Sequence, residues 1–144
     1  MTAENNRKSL RESIREQVRR GDLLDADCPS RAVLSHVTSR WGVLILVILL
    51  GGTYRFSQLR REAGGVSEKM LAQTLDALAG DGFIVRHDYG EIPPKVDYSL
   101  TPMGREVAQR LEVLVDWIEE NFPRIAAARA ELVDTPAIAA AKAA

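Results

Sequence analysis

The sequence predicts a mainly α-helical domain with a small β-hairpin, and three observations predict it. First, two short helix starts stand close together, Arg55-Phe56-Ser57-Gln58-Leu59-Arg60 and Val66-Ser67-Glu68-Lys69-Met70-Leu71, with Gly64-Gly65 as the turn between them. Second, Asp81-Gly82 stops the second helix, Phe83 to Tyr89 reads as a strand, and Lys95 to Leu100 returns as its partner. Third, Thr101-Pro102 opens a long amphipathic helix. That order of elements is a winged helix-turn-helix, dimerising through its N- and C-terminal helices. Its commonest use is to place one helix in the major groove of DNA.

Each element has a local cause. Leu10, Ile14 and Val18 recur at i, i+4 and i+8, which gives residues 5–20 a thin apolar stripe on a basic amphipathic helix. Gly21-Asp22 ends it. Cys28-Pro29 starts the next helix, because proline has no N–H to leave unpaired in a first turn. Trp41 to Leu50 is apolar almost all round and reads as a buried central helix, with Trp41 as a core anchor and Gly51-Gly52 as its end. Phe56 and Leu59 face inward from the short helix 56–62. The hydroxyl of Ser67 is placed to cap the following helix. Leu71, Leu75 and Leu78 define that helix's buried face, and Lys69, Gln73 and Asp76 lie opposite them. In the hairpin, Val96, Tyr98 and Leu100 alternate as a half-buried strand should. Pro93-Pro94 stiffens its tip, since each ring fixes φ. The last helix carries Val107, Leu111, Leu114, Val115, Ile118 and Phe122 on one side. That stripe is longer than a small domain can cover, and a homodimer interface would cover it. Three segments follow: a basic extension over 1–24, the winged domain over 25–125 and an Ala-rich tail over 126–144.

The bulk numbers bound the function. The chain has 144 residues, enough for one domain with a core, at 46% hydrophobic and 27% charged. The longest apolar run, Val43 to Leu50, is too short for a membrane span, which takes roughly 20 residues. A charged N-terminus without an apolar h-region argues against a secretory signal. One cysteine excludes an internal disulfide framework and fits a reducing cytoplasm, the expected location. The net charge of −1 is unhelpful until the charges are placed. From Arg7 to Arg20, the bases Arg7, Lys8, Arg11, Arg15, Arg19 and Arg20 outnumber Glu12 and Glu16. Arg55, Arg60, Arg61 and Lys69 outnumber Glu62 and Glu68 in the helix-turn-helix. Acids outnumber bases from Arg105 to Asp134. Positive charge thus falls on the expected DNA side.

The segment from Cys28 to Phe122 resembles the HxlR-type family of bacterial winged helix-turn-helix transcription regulators, relatives of the MarR group. The matching residues are Cys28-Pro29, Arg40-Trp41, Tyr54-Arg55-Phe56-Ser57-Gln58-Leu59, Ser67 to Leu75, Asp81-Gly82-Phe83-Ile84, Pro93 to Thr101, and Trp117. The resemblance implies a dimer that binds a near-palindromic operator. It also implies that Ser67, Lys69, Met70, Gln73 and Thr74 occupy the recognition helix, about 67–79, with the wing at about 83–100. Lys69 can reach a guanine edge or a phosphate, and Gln73 can pair with adenine. Arg55, Ser57, Gln58, Arg60 and Arg61 are then positioning contacts, helped by backbone N–H groups at the start of the Phe56 helix. Lys95 and Arg86 would touch backbone or minor groove from the wing. Repression is the expected readout for a small DNA-binding domain without a separate activation module.

Cys28 draws opposed influences. A helix N-terminus and Arg31 favour the thiolate, while Asp25 and Asp27 oppose it. The resemblance implies a redox or electrophile sensor, as some members use the cysteine at this position. The other reading is a small, buried, inert residue. With one cysteine, oxidation gives a Cys28–Cys28 bridge between subunits, a mixed disulfide or a sulfenic acid. An enzyme is not expected: neither His36 nor His87 lies in a catalytic pattern, and with Cys28 they fit no common zinc spacing. No cofactor, metal or membrane partner is called for. Two alternatives stay open. One is a DNA-binding regulator controlled by a small apolar ligand held near Trp41, Trp117 and Phe122. The other is a winged-helix protein-interaction module.

Overall fold

The structure, a computed structural model, describes residues 25–133 and a few positions between 3 and 16. The expected stripe of Leu10, Ile14 and Val18 and the tail after Val133 lie outside the described residues. The elements run α1 (Pro29–Thr38), α2 (Arg40–Leu49), β1 (Tyr54–Arg55), α3 (Phe56–Glu62), α4 (Glu68–Gly80), β2 (Ile84–Asp88), β3 (Val96–Leu100) and α5 (Pro102–Val133).

The core forms where the apolar faces meet. α2 is central and packs against α1, α4, α5 and β3. Its Ile45, Leu46 and Leu49 close on Leu59 of α3, on Leu71, Leu75 and Leu78 of α4, and on Ala108 of α5. Trp41 packs on this cluster from its edge, partly buried. Ser39 caps α2, its hydroxyl accepting from the Gly42 N–H at 3.1 Å. Ser67 caps α4 as expected, accepting from the Met70 N–H at 3.1 Å.

The expected hairpin of β2 and β3 is present, and β1 joins it in a three-stranded antiparallel sheet in the order β1-β3-β2. Tyr54 and Arg55 pair with Tyr98 and Asp97 as this two-residue strand, and the expected short helix 56–62 follows directly as α3. Helix α5 runs past residue 125, through Pro123, to Val133.

The junction between α4 and the sheet is fixed by backbone. Gly82, at φ 81, lets the chain reverse so that the Phe83 N–H reaches the Leu78 carbonyl at 3.0 Å and its own N–H reaches Ala79 at 3.0 Å. These two bonds pair carbonyls that a helix end leaves open. Thr101 then closes the base of the wing. Its hydroxyl donates to the Gly82 carbonyl at 2.6 Å and accepts from the Gly104 N–H at 2.9 Å. Gly104 sits so close that an added Cβ would lie 1.8 Å from the Phe83 carbonyl oxygen.

Candidate nucleic-acid interface

The helix-turn-helix sets its side chains by burying one face of each helix. In α4, with Leu71, Leu75 and Leu78 inside, Lys69, Gln73 and Asp76 are exposed. Met70 lies beside them, also exposed. Thr74 is half-buried, and its hydroxyl donates to the Met70 carbonyl at 2.8 Å, so a base would compete with the helix for that proton. Ser67 is exposed while its oxygen caps the helix.

In α3, Leu59 points into the core, which turns Ser57, Gln58, Arg60 and Arg61 to the surface. The Gln58 side-chain oxygen accepts from the Arg55 N–H at 2.9 Å, closing the start of the helix. Part of the expected backbone anion site is therefore already occupied by protein. Arg60 Nη1 lies 3.0 Å from Glu68 Oε1, which ties α3 to the first turn of α4. Both groups are exposed, and such a pair contributes little to stability. A phosphate can displace the carboxylate.

The wing separates the two residues expected to act together. Strand register puts Arg55, Asp97 and His87 side by side across the sheet. Side chains alternate along a strand, so Lys95 shares that face, whereas Arg86, opposite the buried Tyr98, lies on the other. Arg86 Nη1 lies 3.9 Å from Asp88 Oδ2. Lys95 is half-buried, its Nζ 4.3 Å from the centroid of the Tyr89 ring. Tyr89 donates its hydroxyl to Asp97 Oδ2 at 2.8 Å and meets the His87 ring edge-on at 4.3 Å. The hydrogen bond to the Asp97 carboxylate, followed by burial and the charges of Asp97 and Glu91, raises the Tyr89 phenol above its ordinary value. Ile92, beside Pro93, is fully exposed at the tip.

Sequence reasoning missed Tyr89, His87 and Asp97. The alternation through Tyr98 would have placed Asp97 and Lys95 outward, but the partners across the sheet depend on a register set by the loop. It also missed the bond between His36 Nδ1 and Asp81 Oδ2, which fastens the end of α4 to α1. Beside that bond, Ser35, His36 and Ser39 face Gln73, Thr74 and Ala77 across a shallow groove.

Cys28 is the N-cap residue of α1, with Pro29 in the first turn. It is half-buried, and its Sγ lies 2.9 Å from Ser30 Oγ. Trp117 and Phe122 are exposed on α5, while Trp41 stays with the core. Among the described residues no single helix is long and apolar enough to cross a membrane.

Comparison with known proteins agrees with this geometry. The model of the HxlR-like helix-turn-helix matches residues 36–126. The HTH-type transcriptional regulator YtfH of Escherichia coli (strain K12) is 58% identical over 119 residues, 83% of this chain and 94% of its own. The solved structure of ytfH from Salmonella typhimurium, described as a transcriptional regulator, superposes with a TM-score of 0.72 at 61% identity, covering 74% of this chain and 96% of that one. The redox regulator HypR in its oxidised form gives a TM-score of 0.60 at 32% identity, covering 65% and 97% of the two chains.

Proposed function

The chain belongs to the HxlR-like helix-turn-helix family of transcriptional regulators, which are not enzymes, and on that premise we propose that it represses transcription as a homodimer on a near-palindromic operator. One observation carries the reading. α4 is capped by Ser67 and anchored by three buried leucines, so it presents Lys69, Met70 and Gln73 outward from a rigid frame. A helix held this way can enter a major groove without first being ordered.

Gln73 and Lys69 read base edges, with Met70 and Thr74 beside them. Ser67, Arg55, Ser57, Gln58, Arg60 and Arg61 set the position of the helix against phosphates. Arg60 exchanges Glu68 for a phosphate when DNA arrives. Lys95 contacts backbone or minor groove from the wing. Arg86, on the other face, makes at most a peripheral contact.

Cys28 gives the regulator an oxidant input. Its place at the start of α1 supports this, as does likeness to the redox regulator HypR and to YodB from B. subtilis, whose structure was solved after diamide treatment (29% identity, TM-score 0.55, covering 67% of this chain and 96% of that one). A bridge between the two Cys28 residues of a dimer needs their Cα atoms within roughly 7 Å.

Fluorescence anisotropy tests both parts. The probe is a labelled duplex from upstream of the protein's own gene, titrated with reduced and with diamide-treated protein at two salt concentrations. The expected result is tight, salt-sensitive, selective binding by reduced protein, weakened by diamide in the wild type but not in Cys28→Ser. Gln73→Ala should relax base preference, whereas Arg61→Ala should weaken all sequences about equally. Binding that never exceeds that of random DNA, here and with duplexes selected from a random pool, would reject the DNA reading. Equal diamide effects in wild type and Cys28→Ser would reject the sensor.

A further inference from the structure

We propose that Asp97 is the positioning residue of the wing: its carboxylate holds Arg55 of β1 and Tyr89 beyond β2 together, so that Arg55, Tyr89 and Lys95 meet DNA as one preset surface. The inference rests on the DNA-binding reading and deepens it, because it assigns an acid to a basic interface.

The geometry is that of a hub. Asp97 lies on the central strand, paired with Arg55 on one side and His87 on the other. One carboxylate oxygen is 3.9 Å from Arg55 Nε, and the other accepts the Tyr89 hydroxyl at 2.8 Å. The Tyr89 ring in turn carries the Lys95 ammonium over its face at 4.3 Å. The Asp97 side chain is only 14% exposed, whereas that of Arg55 is 57% exposed. The acid is thus covered by the groups it organises, and the Arg55 guanidinium remains open to a ligand. Arg55 is also the N-cap residue of α3, so the same carboxylate joins the wing to the helix-turn-helix.

Simple electrostatics predicts the opposite behaviour. A carboxylate among phosphate contacts repels DNA, and its removal should tighten binding, most of all at low salt. If Asp97 instead sets the wing, its removal frees Arg55 and Tyr89. Their side-chain entropy must then be lost again on binding. The sign of the change decides between the two.

The test uses the full-length protein and a fluorescein-labelled duplex enriched by selection from a random pool. Asp97→Ala should bind about fivefold more weakly, a coupling typical of residues in one network. Its salt slope should fall by about one phosphate contact. Tyr89→Phe removes a single exposed hydroxyl and no charge, and it should also weaken binding. The double variant should be no weaker than Asp97→Ala alone, because both changes break one link. Ultraviolet titration supplies a readout without DNA: Tyr89 should ionise above 10.0 in the wild type and move down in Asp97→Ala. Tighter or unchanged binding by Asp97→Ala overturns the proposal, and so do losses that add in the double variant. Should Asp97→Ala fail to fold, Tyr89→Phe decides alone, and unchanged affinity rejects the link. If the wild type selects no duplex, the DNA-binding reading fails, and the positioning role falls with it whatever the titration shows.

Discussion

α4 and α5 carry the same apolar spacing and treat it differently. In α4, Leu71, Leu75 and Leu78 are 0%, 2% and 0% exposed. In α5 the stripe begins the same way, with Gly104, Ala108 and Leu111 buried. One turn further on, Leu114, Trp117, Ile118 and Phe122 are 51%, 52%, 43% and 52% exposed. Periodicity therefore specifies that a helix has an apolar face, not which molecule covers it. α4 folds its face into its own domain. α5 leaves a row of large apolar side chains uncovered, including a tryptophan, which is the composition of an interface centre. A second copy of the chain is the occupant proposed above.

The comparison can be broken first at its strongest point. Leu75→Ala should cost about 3 kcal/mol of folding stability, since it empties space within a closed core. Urea denaturation at fixed protein concentration measures it, and a loss below about 1 kcal/mol would mean that α4 is less tightly built than its burial implies. Next, Trp117→Ala should weaken self-association by about 2 kcal/mol at an interface centre. It should leave the unfolding of the dissociated monomer nearly unchanged. Sedimentation equilibrium reads the first and thermal melts at low concentration the second. A wild-type chain that stays monomeric at high concentration would remove the contrast. The smallest effect sharpens the contrast rather than breaking it. Ser67→Ala should cost about 1 kcal/mol through the lost cap on α4. Hydrogen exchange should then rise at Met70, whose N–H the hydroxyl accepts, and remain unchanged in α5.

The helices were legible because each is written in its own spacing, with Ser67 and Thr101-Pro102 as caps. β1 was not. Two residues have no period, and Tyr54 and Arg55 become a strand only because β3 lies beside them. The alanines after residue 125 do not end α5: alanine favours helix more than any other residue and carries it on to Val133. The outward set on α4 followed directly from its buried leucines. The wing did not: Arg86 and Lys95 look equivalent in the chain, and only the register shows that they occupy opposite faces. Asp97 looked like one acid among many, because its role depends on partners 42 residues upstream and 8 residues upstream.

The close fit at Gly104 has a mechanical consequence. Thr101 and Gly104 clasp the start of α5 to the Gly82–Phe83 backbone with no room for a methyl group, so this joint cannot act as a hinge. Any change in how two α5 helices cross in the proposed dimer would pass undamped to the base of each wing and the end of each α4. Half-sites on DNA are spaced by the helical repeat, roughly 34 Å. A few degrees of scissoring at the far end of a helix 32 residues long would then alter the span between the two recognition helices. An input acting on the helix pair could release an operator by spoiling that span, while every contacting side chain stayed in place.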